Sequence, residues 1–284
     1  MRINRAALDV KWSPDGKKFA VASGAKCVPV CHYEDDNDWW ISKMVKKHKS
    51  TVLSVDWHPS SQMIVTGCCD FKCRIFSAFI HDLDEPNPSG LFGDLSDTFG
   101  ELLAEFDASH GWVNAATWSP NGLRVAFAGQ DSSISFVHFY AEEDEAGETV
   151  INEEEPTVQT IKLETLPFHK LLFSDDDRLI AVGHEFNPNE FCCESDMWSL
   201  SRKLDDESKA GAASPEKKTS SFSAARNMFG KSAAKKGGSS RTAAKISTKH
   251  KACITGISSV SDVDQAVTRF VTAGIDGQIR FWEV

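Results

Sequence analysis

The 284-residue sequence has no apolar run approaching the length of about 18 residues that a membrane-spanning helix needs. Its first residues, MRINRAALDVKWS, lack a long apolar core and a small-residue cleavage site, so we expect no secretory signal peptide. The eight cysteines lack the spacing of a secreted disulfide module, and most lie in predicted strands, where cysteine behaves as a small buried hydrophobe. These absences predict a soluble protein of a reducing, cytoplasmic compartment.

Motifs for phosphate binding, metal binding and catalysis are also missing. No glycine-rich phosphate loop is present. Cys68, Cys69 and Cys73 stand close together, but alternate residues of a strand point to opposite faces, and no second Cys/His pair follows at ligand spacing. Cys192-Cys193 is a similar case. We therefore predict no metal, no cofactor and no enzymatic activity.

The strongest positive pattern lies in residues 272–284, which read TAGIDGQIRFWEV. Asp276-Gly277 indicates a hairpin turn, because glycine tolerates the positive φ that such turns need. Strand-favouring residues flank this turn, and Trp282-Glu283 stands where a propeller blade carries its Trp-Asp dipeptide. A WD-repeat blade joins four side chains in a buried hydrogen-bonded chain, and a buried carboxylate needs such partners. The residues of these types are His250, Thr272, Asp276 and Trp282.

Similar units recur along the chain. Four of them open on an aromatic residue: Trp12, Trp57, Trp118 and Phe173. The openers are 45, 61 and 55 residues apart, so the longer steps must contain insertions beyond a repeat of about 40–45 residues. The sequence thus predicts an all-β fold, a WD-repeat β-propeller with five recognisable blades over residues 1–284. We expect outer strands at 39–44 and 100–106, an acidic loop at 142–155, and the first strand of a fourth blade at 157–163.

Two further units contain part of the same side-chain set. They are His48, Thr66 and Asp70, with Phe76 in place of tryptophan, and His110 with Asp131. Such histidines could be imagined as acid-base catalysts. The blade pattern favours a structural role instead, in which each histidine is satisfied by the aspartate of its own blade.

Residues 199–251 depart from the blade pattern and form a predicted flexible insertion, rich in Ser, Ala, Lys and Gly. From 209 to 251 there are eleven Lys and Arg residues against one acid, so this segment carries +10 and the remainder −20 of the net charge of −10. One apolar island, 221–229, predicts a short amphipathic helix near 221–230, with Phe222, Ala225 and Phe229 on one face. A helix this short needs a docking partner to hold its shape.

Several stretches outside the generic repeat positions are similar to the WD-repeat subunit, subunit 1, of the actin-related protein 2/3 complex. They are INRAA at 3–7, NDWW at 37–40, STVLSVDWHP at 50–59, CDFKCRIFSA at 69–78, FGEL at 99–102 and ETLP at 164–167. The resemblance implies a non-catalytic, seven-bladed scaffold in an assembly with two actin-related proteins that nucleates branched actin filaments. In the insertion, Ala225-Arg226 and Phe229 resemble the protruding helix through which that subunit contacts actin, so the implied docking residues are Phe222, Ala225, Arg226, Met228 and Phe229.

Against that family, this sequence begins where a third blade begins and ends after the third strand of a last blade, so we expect two blades to be absent. Two other functions stay open. The blade pattern alone would permit an adaptor of another multiprotein complex, such as a chromatin or ubiquitin-ligase complex. A propeller enzyme would require acids and histidines that converge on the central channel. The basic insertion would also suit nucleic acid or an anionic membrane, but the aromatic island favours actin.

Overall fold

Runs of β-branched and aromatic residues, separated by turns rich in Gly, Asp and Ser, form a series of antiparallel sheets. The computed structural model describes residues 3–86, 91–92, 97–143, 149–151, 155–205, 248–260 and 267–284, with the backbone alone at 141–143 and 149–151. The predicted helix near 221–230 lies outside these residues. Within them, no helix has the length and apolar character needed to cross a membrane.

The first two blades are four-stranded sheets whose strands follow one another in chain order. Blade 1 consists of β1 (Ala7–Trp12), β2 (Lys18–Ser23), β3 (Val28–Glu34) and β4 (Trp39–Val45), with a short 3-10 turn at Asp35–Asn37. Blade 2 consists of β5 (Val52–Trp57), β6 (Met63–Cys68), β7 (Cys73–Ser77) and β8 (Leu102–Phe106). The predicted outer strands at 39–44 and 100–106 are confirmed as β4 and β8.

In blade 3, an inserted pair of strands separates the third strand from the outer strand in the chain. It consists of β9 (Val113–Trp118), β10 (Arg124–Gly129), β11 (Ser133–His138) and β14 (Thr157–Lys162), and the chain between them forms a separate pair, β12 (Ala141–Glu143) and β13 (Thr149–Ile151). The expected loop at 142–155 therefore contains strand. The assignment of 157–163 to the fourth blade was also wrong, because β14 pairs with β11 from Ser133↔Lys162 to His138↔Thr157. Strand periodicity reveals a strand but not its neighbour.

The last two blades differ in strand number within the described residues. Blade 4 consists of β15 (Phe168–Asp175), β16 (Arg178–Gly183), β17 (Asn189–Glu194) and β18 (Met197–Lys203). Blade 5 consists of β19 (Ile254–Ser259), β20 (Arg269–Gly274) and β21 (Ile279–Glu283). The start of the predicted insertion at 199 falls too early, since β18 pairs with β17 as far as Asn189↔Lys203. The β-propeller fold itself is confirmed, with five blades in the described part of the chain.

The hydrophobic core lies between neighbouring blades rather than inside any one sheet. Four clusters occupy the successive interfaces, each built from both flanking blades. Val30 packs with Val55 between blades 1 and 2, and Ile180 packs with Ile254 between blades 4 and 5. Each blade thus depends on its neighbours to bury apolar area, as in other repeat proteins.

All five inner strands carry a β-bulge at their second residue. The bulges leave one residue of each strand without an opposite partner. These residues are Leu8, Leu53, Asn114, His169 and Thr255. All five line one cavity, so the bulges turn one side chain from each blade toward the centre of the propeller.

Candidate functional site

Blade 5 contains the complete hydrogen-bonded chain that its sequence predicts. Trp282 Nε1 donates to Thr272 Oγ1 at 2.8 Å, and Thr272 Oγ1 lies 2.7 Å from His250 Nε2. His250 Nδ1 lies 3.2 Å from both carboxylate oxygens of Asp276. Because the threonine hydroxyl accepts from Trp282, its one proton is free for His250 Nε2, which leaves Nδ1–H to donate to Asp276. His250 and Thr272 are fully buried, so this series of hydrogen bonds holds the segment that precedes β19 against the hairpin between β20 and β21.

Blade 2 forms only half of this chain. His48 Nε2 lies 3.0 Å from Thr66 Oγ1, but His48 Nδ1 is buried without a hydrogen-bond partner. The expected pairing of His48 with Asp70 was therefore wrong. Arg74 takes the carboxylate instead, with Nη1 at 3.0 and 2.8 Å from the two oxygens of Asp70, and its Nε donates to Glu105 at 2.7 Å. Burial, together with the nearby positive charge of Arg74, lowers the pKa of His48 to about 4.

Blade 3 places a serine where a histidine was expected. The His110 side chain is 88% exposed, and its Nδ1 stays 3.8 Å from Asp131. Ser109, which is buried, occupies the inner position, which is the one that His48 and His250 hold in blades 2 and 5. Its hydroxyl lies 3.5 Å from the Asp131 carboxylate. The expectation for His110 as a buried histidine was wrong by one residue. Spacing could have revealed the shift, since the backbone bonds of Lys49 to Asp70 and of His110 to Asp131 both span 21 residues.

The hairpin aspartate accepts the same two backbone hydrogen bonds in blades 2, 3 and 5. Each accepts the backbone N–H of the residue after the inner position, from Lys49 at 3.1 Å, His110 at 3.2 Å and Lys251 at 2.7 Å. Each also accepts the N–H two residues further along its own turn, from Lys72, Ser133 and Gln278. The N–H of Lys251, first among these bonds, holds the pKa of Asp276 below its ordinary value. These aspartates are fully occupied in holding the fold.

The central cavity, of about 370 Å³, offers little for catalysis. Besides the five bulge residues, it is lined by Trp112, Gln130 and Lys170. No carboxylate stands among these described lining residues, and Lys170 pairs with Asp9 of blade 1 at 2.9 Å. The described lining holds one histidine, His169, and none of the convergent acids that would favour a propeller enzyme.

An exposed aromatic surface lies on blade 1. The rings of Trp12, Phe19, Tyr33 and Trp40 contact one another with centroids 5.2 to 6.1 Å apart. Trp12 is 58% exposed, whereas Trp57 and Trp118, which open the next two units, are each 4% exposed beneath a preceding blade. Large exposed aromatic patches of this kind mark interaction surfaces.

The two ends of the predicted insertion meet at one point, which we call the insertion root: Leu204, Asp205, Thr248 and Lys249. Leu204 and Asp205 are buried, and Asp205 N–H donates to Asn187 Oδ1 at 2.9 Å. Lys249 N–H donates to Asp205 Oδ2 at 2.5 Å, and its ammonium lies 4.1 Å from the centre of the Trp282 ring. The root thus joins blade 4 to blade 5.

The proposed docking residues lie outside the described residues, between the two sides of this root. They are Phe222, Ala225, Arg226, Met228 and Phe229. Sequence reasoning missed the root, Ser109 and the partnership of Arg74. The spacing of Asp131 pointed to Ser109, but no local pattern identifies the root, because its residues are joined only by folding.

Comparisons with known proteins agree with this architecture. The sequence model described as "WD domain, G-beta repeat" matches residues 40–77 and 100–137. The first matched segment begins in the outer strand β4 and the second begins two residues before the outer strand β8, and each ends in the third strand of the next blade. The repeat of the sequence is therefore offset by one strand from the blade of the structure.

Similarity to whole proteins extends along the entire chain. It is 36% identical over 288 residues to actin-related protein 2/3 complex subunit 1A of Arabidopsis thaliana, covering 100% of this chain and 72% of the relative. It is 37% identical to subunit 1A-B of Xenopus laevis, covering 100% and 71%. It is 33% identical to subunit 1 of Schizosaccharomyces pombe, covering 99% and 74%.

Proposed function

Because the chain belongs to the family of actin-related protein 2/3 complex subunit 1, we propose that it is a non-catalytic scaffold subunit of that complex and supports the nucleation of branched actin filaments. The observation that carries the proposal is similarity at 33–37% identity over the whole chain, not over the repeats alone. A shared WD-repeat pattern would fit many adaptors, whereas likeness across every blade and connection favours one assembly.

A scaffold role is supported by how the polar groups are used. The buried histidine and aspartate side chains of blades 2 and 5 bond within their own blades. The described lining of the central cavity has no pair of acids that could act as general acid and base. Surfaces, rather than a catalytic pocket, are therefore the working part in this proposal.

We further propose that the insertion contacts an actin subunit of the filament. The segment between the two sides of the insertion root carries the island 221–229 and nine Lys and Arg residues against three acids. Both ends of that segment meet at the part-buried Asp205–Lys249 contact, so whatever it binds is coupled to blades 4 and 5. Phe222 and Phe229 are the leading anchors, each worth about 1.5–3 kcal/mol on burial. The surrounding Lys and Arg residues would steer association with an acidic partner.

This role places the protein in the cytoplasm with the actin cytoskeleton, in company with the actin-related proteins and the other subunits of the complex. It requires neither nucleic acid nor membrane insertion.

The assembly part of the proposal is tested by recovering the tagged chain from cytoplasmic extract and identifying its partners by mass spectrometry. We expect both actin-related proteins to be recovered in stoichiometric amounts. Recovery of a chromatin or ubiquitin-ligase complex in their place would contradict the proposal and support the adaptor function.

The docking part is tested by a double variant, Phe222→Ala with Phe229→Ala, in the assembled complex. We expect the complex to stay intact while filament branching falls. Ser239→Ala with Ser240→Ala is the matched control, because it changes the same segment outside the apolar island. Equal branching by both variants would contradict actin docking through the island without affecting the assembly proposal.

A further inference from the structure

Two histidines and a cysteine meet at the junction of blades 4 and 5. The Nε2 atoms of His169 and His184 are 2.8 Å apart. The ligand atoms of His169, His184 and Cys253 all lie within 4.8 Å of one another. These residues are 15 and 69 positions apart in the chain, which is why no ligand spacing reveals them in the sequence.

We propose that His169, His184 and Cys253 form a binding site for one zinc-class divalent cation that ties blade 4 to blade 5. Two imidazole nitrogens and one thiolate are a ligand set that zinc prefers. The site departs from our sequence-based expectation that the protein has no metal ligands.

The backbone holds the three residues on rigid elements. His169 is the bulged residue of β15, so the bulge turns its side chain out of the ladder and toward the cavity. His184 directly follows Gly183, where a Cβ atom would come within 2.5 Å of Pro167 O and 3.0 Å of His169 N. Only glycine allows the two histidine-bearing segments to approach this closely. Cys253 is held by its carbonyl, which accepts the N–H of Ile275 at 2.9 Å.

The distances are close to those of a tetrahedral site. Bonds of about 2.0–2.1 Å to nitrogen and about 2.3 Å to sulfur require ligand atoms roughly 3.3–3.7 Å apart. The two nitrogens, at 2.8 Å, would separate slightly, and the sulfur would move inward by about 1 Å or less. Side-chain rotations are enough for adjustments of this size.

The central cavity borders the site at His169 and can supply a water molecule as the fourth ligand. His169 lines the central cavity, which has room for water and for an incoming ion. The neighbouring cation, Lys170, is paired with Asp9 at 2.9 Å, so its charge is partly offset. On binding, the Cys253 S–H bond breaks, its proton passes to solvent, and the sulfur electron pair forms the bond to the metal.

Co²⁺ is a suitable probe, because a cobalt–thiolate bond gives a charge-transfer absorption and tetrahedral cobalt gives strong visible bands. The full chain, freed of metal by a chelator, is titrated with Co²⁺ and then with Zn²⁺. We expect saturation at about one Co²⁺ per chain with both absorptions, followed by their loss as Zn²⁺ displaces cobalt. Absence of the charge-transfer band in the native chain would overturn the proposal.

Variants assign the ligands. Cys253→Ser should abolish the charge-transfer band, and His184→Gln should weaken binding by more than about 100-fold, since losing even an outer hydrogen-bond partner of a ligand costs about 10–100-fold. Cys27→Ser and His138→Gln are the matched controls and should bind as the native chain does. A charge-transfer band that survives in correctly folded Cys253→Ser would overturn the site, as would visible bands without charge transfer in the native chain.

Discussion

Blades 2 and 5 carry the same three polar residues in the same order, yet only blade 5 joins them into one chain. In blade 5 the bonds run from Trp282 through Thr272 and His250 to Asp276. In blade 2 the sequence of bonds stops at His48, whose Nδ1 is buried without a partner. The comparison teaches that a repeat motif specifies where side chains lie, but their neighbours decide which bonds form.

The aromatic residue at the end of the third strand is one source of the difference. Trp282 has an N–H to donate to Thr272, whereas Phe76, at the same place in blade 2, has none and packs 5.0 Å from the His48 ring. Thr66 therefore gives its proton to the Arg74 carbonyl at 3.3 Å, and His48 must be the donor toward Thr66. The two histidines thus adopt opposite tautomers.

The arginine on the third strand is the other source of the difference between blades 2 and 5. Arg74 and Arg280 occupy the same register, opposite Thr66 and Thr272. Glu105 on the outer strand β8 holds Arg74 against Asp70. Blade 5 has three strands in the described residues, and Arg280 turns to Gln278 instead. Asp276 is thereby left for His250.

The largest effect is expected from Arg74→Met. It would leave the Asp70 carboxylate and the inner oxygen of Glu105 without their cation, and breaking a buried ion pair from one side costs about 3–5 kcal/mol. Arg280→Met, the matched change in blade 5, should cost less than about 1 kcal/mol, because no buried ion pair is lost. Urea unfolding measures both, and equal losses would contradict the distinction between the blades.

Acid should destabilise blade 2 through His48. Its pKa is about 4 in the folded chain against an ordinary 6.5, so the unfolded chain takes up the proton first as the pH falls. The contribution of His48 to the free energy of unfolding is therefore fully present above about pH 6.5. It is lost as the pH falls to about 4, and the loss is on the order of 3 kcal/mol.

His48→Gln isolates this contribution. The variant should lose the part of the pH dependence that belongs to His48 and keep the part from His58, whose pKa burial also lowers to about 4. Unfolding free energies at pH values of about 7, 5.5 and 4.5 are the measurement. Parallel curves for variant and native chain would show that His48 titrates normally.

Removing the central hydroxyl should cost more in blade 5 than in blade 2. Thr272→Val leaves two buried groups unpaired, Trp282 Nε1 and His250 Nε2, with an expected loss of about 2–3 kcal/mol. Thr66→Val leaves only His48 Nε2 and one weak acceptor unpaired, with an expected loss of about 1–2 kcal/mol. Thermal unfolding of the two isosteric variants gives the difference, and the reverse order would refute the assigned donors.

The smallest effect is spectroscopic and needs no substitution. We expect His250 to carry its proton on Nδ1 and His48 to carry it on Nε2 at neutral pH. Long-range proton–nitrogen correlation spectra distinguish the two tautomers. The same tautomer at both residues would mean that the aromatic residue does not set the direction of the bonds.

Much of the fold could be predicted from the sequence, because alternating strand residues, Asp-Gly turns and recurring tryptophans are local signals. The predictions for Thr272, Asp276 and Trp282 with His250 are confirmed as a contiguous chain of bonds. The prediction for His48 was wrong in its partner and that for His110 was wrong in its buried position, since the competing Arg74 and Ser109 come into place only when strands pair. The docking residues of the insertion stay a prediction.

The sequence by itself determined the type of fold and the number of repeated units, because both rest on residue types at short spacing, and it determined the family through identity along the whole chain. Only the tertiary structure decided which strand completes blade 3, which cation holds Asp70, where the insertion is anchored and which side chains face the centre. Those contacts join residues that are distant in the chain. Several partners compete for each contact, and strand pairing and burial decide which contact forms.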